Sequence, residues 1–115
     1  MVYKYEQQFK KGALEMVLLS IISRKRTYGY EIILNLNRLE DSVFQNIKEG
    51  TLYPVLYRLE DAGLVVGELS VSESGRSKKY YEITNLGISV LQGMKDFWES
   101  YKKCIDQFVK EDYHD

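Results

Sequence analysis

The 115-residue sequence is poor in most of the side chains that carry chemistry. Its one cysteine, Cys104, excludes an internal disulfide and a multi-cysteine zinc site, and suits a reducing compartment, the cytoplasm. On its apolar stripe that thiol reads as inert packing. Its one histidine, His114, lies in an acidic tail, Asp112 to Asp115, expected to fray. There is no phosphate-cradling glycine loop, no zinc-protease helix motif and no nucleophile elbow. An enzyme is therefore the weakest reading, and no cofactor or metal is implied. No apolar run reaches the ~18 residues of a membrane span, and no signal peptide is recognisable. The longest apolar region, Ala13 to Ile22, is interrupted by Glu15 and Ser20. Net charge is nearly absent as well: 16 Lys+Arg stand against 17 Asp+Glu, for a net of −1. That balance disfavours a nucleic-acid binder unless the positive charge gathers on one face.

What remains is enough for one folded domain. Hydrophobic residues make up 44% of the chain, and ten tyrosines suggest contact surface as well as core. The most informative stretch is Lys48 to Val65, KEGTLYPVLYRLEDAGLV. Leu52, Val55, Leu56 and Leu59 fall at the spacing of a buried helical face, with Tyr53, Pro54, Tyr57, Arg58 and Asp61 turned outward. Pro54, the only proline, lacks an N–H and belongs in a first turn, which favours Thr51 as N-cap over a start near Glu49. Gly63 closes the helix. Such a helix offers a phosphate backbone two tyrosines, an arginine and a free N-terminus. Ordinary amphipathic surface is the plainer reading of this stretch alone.

Before it, Met1 to Lys11 is an extended lead-in or the first turns of a helix, and Gly12 to Ser23 is a helix apolar on most sides. Arg24, Lys25 and Arg26 then suit the negative end of its dipole. Thr27 to Leu39 is a second helix, capped by Thr27, with Ile32, Ile33, Leu36 and Leu39 inward and Tyr28 and Tyr30 at its start. In the connector that follows, Val43, Phe44 and Ile47 tie back to the core. Helix, helix, connector, helix presents the third helix outward.

Leu64 to Thr84 changes period. GLVVGELSV and KKYYEIT flank SESGRS and read as a β-hairpin with a polar tip, where Arg76, Lys78 and Lys79 stand against Glu73. Thr84 then caps a long last helix running to Glu111. Along it Leu91, Met94, Trp98, Tyr101, Ile105 and Phe108 alternate steps of three and four, a seam of about two and a half heptads. Val90, Phe97 and Cys104 widen it. Three small helices cannot cover that stripe, so a homodimer is expected.

These blocks resemble the PadR family of bacterial transcriptional regulators. The resemblance rests on GALEMVLLSII, TYGYEI at Thr27–Ile32, EGTLYPVLYRLEDAGLV at Glu49–Val65 and GRSKKYYEIT at Gly75–Thr84, with Gly87 beyond. It covers roughly Gly12 to Phe108. It implies a mainly α fold with a small β-hairpin: a winged helix-turn-helix over residues 1–84, whose N-terminal helix also enters the dimer interface, and a dimerisation helix with a short acidic tail over 85–115, as in the short-chain subgroup with a single C-terminal helix. It further implies that the helix at Glu49–Ala62 enters the DNA major groove while the hairpin touches the backbone or minor groove. Carried over by position, the DNA-binding candidates are Tyr28, Thr51, Tyr53, Tyr57, Arg58, Arg76, Lys78 and Lys79. The family's hairpin often has a longer basic run, which Ser77 interrupts here. In members that sense planar aromatic compounds, a tryptophan in a similar place stacks on the ligand between subunits. Met94, Phe97, Trp98, Tyr101 and Ile105 therefore line either an effector pocket or a packed dimer seam. The implied function is repression from an inverted-repeat operator in double-stranded DNA, relieved by a small effector. Against it stands a winged helix used as a protein-interaction module, which the acidic balance would suit.

Overall fold

The computed structural model describes residues 2–39, 43–71 and 74–110. His114 and the acidic tail, Glu73 and Glu111 lie outside the described residues. The element order is α1 (Val2–Arg24), β1 (Thr27–Tyr28), α2 (Gly29–Asn37), α3 (Glu49–Asp61), β2 (Val65–Val71), β3 (Ser77–Ile83) and α4 (Asn85–Val109). The fold is mainly helical with one small antiparallel sheet, as expected. That sheet has three strands in the order β1-β3-β2 rather than a bare hairpin.

The core gathers one stripe from each element. Leu14, Leu18, Leu19, Ile21 and Ile22 of α1 meet Ile32 and Leu36 of α2, the inner face of α3, and Leu64, Val65, Tyr81 and Leu91. The expected face of α3 is correct in full: Leu52, Val55, Leu56 and Leu59 are each at most 5% exposed. Burying each such side chain contributes about 2 kcal/mol relative to leaving it in water. Around this core Phe44 and Ile47 of the connector pack partly, whereas Val43 faces outward. The connector turns at Asn46, whose positive φ of 65° suits asparagine and whose N–H donates to Asn37 Oδ1 at 2.8 Å.

Of the two readings open for the lead-in, the helical one holds, from Val2. Three boundaries differ from the sequence reading. Thr27 does not cap α2; it pairs with Tyr81 in the sheet, and α2 begins at Gly29. Its hydroxyl instead donates to Glu31 Oε1 at 2.6 Å, a buried threonine spanning the strand–helix junction. α2 also ends before Leu39, which is 61% exposed instead of inward. Finally, Thr51 is not the N-cap of α3. The helix starts at Glu49 after Lys48, with Thr51 and Leu52 N–H both donating to the Lys48 carbonyl, at 2.9 and 3.0 Å. Pro54 therefore sits inside the helix. The carbonyl that its missing N–H would serve belongs to exposed Gly50, so no buried acceptor is orphaned.

The stop of α3 is as expected and complete. Gly63 has φ 77°, its N–H donates to the Glu60 carbonyl at 2.9 Å, and the Leu64 N–H reaches the Leu59 carbonyl at 3.0 Å. This pair of bonds is the Schellman closure, with buried Leu64 and Leu59 as its hydrophobic contact. Thr84 caps α4: its Oγ1 accepts from the Gly87 N–H at 2.9 Å and donates to the Gly63 carbonyl at 2.7 Å. One hydroxyl thus joins the end of α3 to the start of α4.

Candidate nucleic-acid interface

With one face of α3 wholly buried, the opposite face is exposed. Thr51, Pro54, Tyr57, Arg58 and Asp61 lie on it, and Glu49 stands in its first turn. Tyr53 is an exception to the outward reading. It is half-buried, and its phenol ring fills the space beside Gly29 where any Cβ would stand. Burial first, then the nearby Glu49 carboxylate, holds its phenol pKa above the ordinary value. Tyr53 thus fixes the start of α2 against α3, and its ring lies 6.4 Å from that of Tyr57.

The hairpin stands beside α3, and strand alternation divides its basic residues between two faces. Lys78, Tyr80 and Glu82 face outward, whereas Lys79, Tyr81 and Ile83 face the core side, with Tyr81 1% exposed. On the outer face Tyr28 pairs with Tyr80 across the ladder, their rings edge-to-face at 5.2 Å. Lys78 Nζ lies 4.2 Å above the Tyr28 ring, and the Arg26 guanidinium lies 4.1 Å above Tyr80. Two cations flanking a tyrosine pair make an ordered basic surface, each contact worth roughly 0.5–1 kcal/mol where exposed.

Carboxylates temper the positive charge on this face and on the others. Lys79 Nζ bonds Glu60 Oε1 on α3 at 2.8 Å, and that bond raises the lysine pKa. Arg58 Nε lies 3.9 Å from Glu15 Oε1 on α1, and Arg26 Nε 3.5 Å from Glu82 Oε1. The Arg58 pair is long and the arginine side chain is 55% exposed, so the pair is worth at most about 1 kcal/mol and leaves Arg58 easily redirected. The Lys79 pair is shorter and less exposed. Alternation alone separates Lys78 from Lys79. Arg26, Glu15 and Glu60 escape a local reading because their partners are distant in sequence.

The residues expected at a pocket or seam lie along α4. Leu91 is buried and Met94 half-buried, but Phe97, Trp98 and Tyr101 are 66%, 42% and 44% exposed. Ile105 is half-buried and Cys104 exposed. Phe97 stacks on Tyr101 at 5.5 Å. With Phe9, Ala13 and Met16 of α1, Met94, Phe97, Trp98 and Tyr101 line an open apolar groove of about 620 Å³. Among the described residues no acidic, histidine or cysteine cluster could hold a metal, and no helix is long and apolar enough to cross a membrane.

Comparison with known proteins places this geometry. Residues 18–93 match the family model of the transcriptional regulator PadR-like family. The chain is 36% identical to an uncharacterised protein of Lysinibacillus sphaericus, over 87% of this chain and 91% of that one. It is 31% identical to the transcriptional regulator Rv3488 of Mycobacterium tuberculosis, over 74% of this chain and 75% of that one. A solved PadR family transcriptional regulator from Eggerthella lenta superposes with a TM-score of 0.84 at 28% identity, covering 96% of this chain and 94% of the other.

Proposed function

The chain belongs to the PadR-like family of transcriptional regulators, which are not enzymes, and from that premise we propose that it is a homodimeric, cytoplasmic repressor that reads an inverted-repeat operator. The observation that carries the reading is α3 itself. One face is fully committed to the core, and the other, with Thr51, Tyr57 and Arg58, stands open beside a hairpin bearing Arg76 and Lys78. That arrangement suits a helix in the major groove with a wing along the backbone. Residues 1–84 form the DNA-binding unit and 85–115 the dimerisation helix with a short acidic tail, with the N-terminal helix joining the dimer contact. Arg58 is the guanine reader, because its fork matches two acceptors on that base. Tyr28, Lys78 and Arg76 contact phosphate. The two copies of α3 reach half-sites about 34 Å apart or a multiple of that distance. Lysine and arginine contacts to phosphate supply most of the affinity.

The groove between α1 and α4 supports the proposal of an effector. Its lining is aromatic and thioether-rich, and in a dimer it lies at the seam, so a planar aromatic ligand there shifts the spacing of the two wings. It can do so only as far as it favours one arrangement over the other.

Binding to a fragment of the promoter beside the protein's own gene, measured across a salt series, tests the reading. Tight binding that resists competitor DNA and weakens steeply with salt supports it. Binding no better than to random DNA sinks it and turns attention to a protein partner, which the carboxylates Glu15 and Glu60 beside the basic residues would suit.

A further inference from the structure

The wing overhangs the domain. Val65 and Tyr81 root the hairpin in the core, but beyond them Leu69 and Val71 are 70% and 69% exposed, and Lys78 is exposed too. A cross-link ties this outer half to α3, the 2.8 Å bond between Lys79 Nζ and Glu60 Oε1, nineteen residues apart in sequence. The bond is set in a prepared place. Lys79 Nζ lies 5.7 Å from the ring centre of Tyr57 and 5.5 Å from that of Tyr81. Gly67, paired with Tyr81 across the ladder, leaves the space through which the Lys79 side chain runs. A Cβ on Gly67 would meet Lys79 Cε and come within 3.0 Å of Glu60 Oε2. The lysine and the carboxylate are 35% and 29% exposed, enough to shelter the pair from full solvation.

We propose that Lys79 is a positioning residue, a strut from wing to recognition helix that sets the angle between Arg76 and Lys78 on the one and Tyr57 and Arg58 on the other, with Glu60 as its anchor and Gly67 as its seat. This rests on the regulator reading above. It also predicts a sign opposite to simple electrostatics. Removing the negative charge of Glu60 favours DNA if charge alone matters, but loosens the wing and weakens binding if the strut matters.

The test uses the full-length protein with Glu60→Gln, Lys79→Met and the exchanged pair Glu60→Lys/Lys79→Glu. Operator affinity is measured across a salt series, and amide hydrogen exchange is followed at Ser77 to Tyr80 without DNA. The strut predicts that Glu60→Gln and Lys79→Met each weaken binding by about tenfold, the size of a lost bond between charged groups. The salt slope stays unchanged, the wing amides exchange faster, and the exchanged pair regains most of the affinity. Tighter binding by Glu60→Gln, or a slope lowered by about one in Lys79→Met as for a lost phosphate contact, overturns it. So does unaltered amide exchange in both single variants. If wild-type protein binds no operator, the regulator reading fails, while the exchange measurement still decides whether the strut holds the wing.

Discussion

The ring of Tyr53 occupies the space that a side chain at Gly29 would need. Twenty-four residues separate the two along the chain, yet this contact sets how α3 lies against the first turn of α2. Gly29→Ala therefore forces Tyr53 aside and is expected to destabilise the fold by about 1–3 kcal/mol, the usual cost of overpacking. Chemical denaturation measures it. In Tyr53→Ala the added methyl has room, so the double variant should be less destabilised than the sum of the singles. Strict additivity would show that the contact carries no energy.

Thr84 is expected to be costly for its size. Its hydroxyl caps α4 and also donates to the Gly63 carbonyl. Thr84→Ala should lower stability by about 1–2 kcal/mol, the upper range for an N-cap, and Thr84→Ser should retain most of it. Urea midpoints with unchanged slopes would establish both effects. Equal loss in the serine variant would point to the methyl group instead.

How far the sequence carried the reading depended on how far apart the determining residues lie. The buried face of α3 was legible because four apolar residues within two turns encode it locally. The Gly63 stop and the Thr84 cap are equally local. Thr27 reads locally as a helix cap because its true partner, Tyr81, is reached only once the chain has folded back. Tyr53 followed its helical position outward until Gly29, from another element, took it in. Thr51 failed as a cap for a different reason. The proline rule counts a lost hydrogen bond as a burial cost, and here the abandoned carbonyl is on exposed Gly50. At the interface, the residue types were readable, but which cation meets which carboxylate was not.

The proposed homodimer makes a plain demand on α4. Phe97 and Trp98 are 66% and 42% exposed in the single chain, on the same side as Phe9, itself 76% exposed. Burying a Phe97 side chain in a partner contributes about 2 kcal/mol, and a charge in its place reverses the sign. Phe97→Glu should sediment as monomer at concentrations where the native chain is dimeric, with its helical circular dichroism largely kept. A native chain that sediments as monomer throughout refutes the dimer.

Alkaline pH should loosen the contact between α3 and β3. Burial raises the phenol pKa values of Tyr53 and Tyr81, and the Glu60 bond raises that of Lys79. A group whose pKa is raised on folding stabilises fully below its unfolded value and loses that contribution as pH climbs through its folded value. All three therefore act in one direction. Thermal stability should hold level in their favour through neutrality and fall above about pH 10, where tyrosine and lysine ordinarily titrate. Lys79→Met should flatten part of that fall.

β3 is the middle strand, held by β1 at one end and by β2 along its length. Near its end Tyr81 is sunk in the core and Ile83 packs against it, while its first residues reach the hairpin tip, so a single strand has one end that must be kept and one that is open to change. A library randomised at residues 74–78 should yield mostly folded protein, whereas one randomised at 80–83 should not. Inheritance can thus rewrite the tip without endangering the fold, and gene copies that need to part company have in this strand an inexpensive route to divergence.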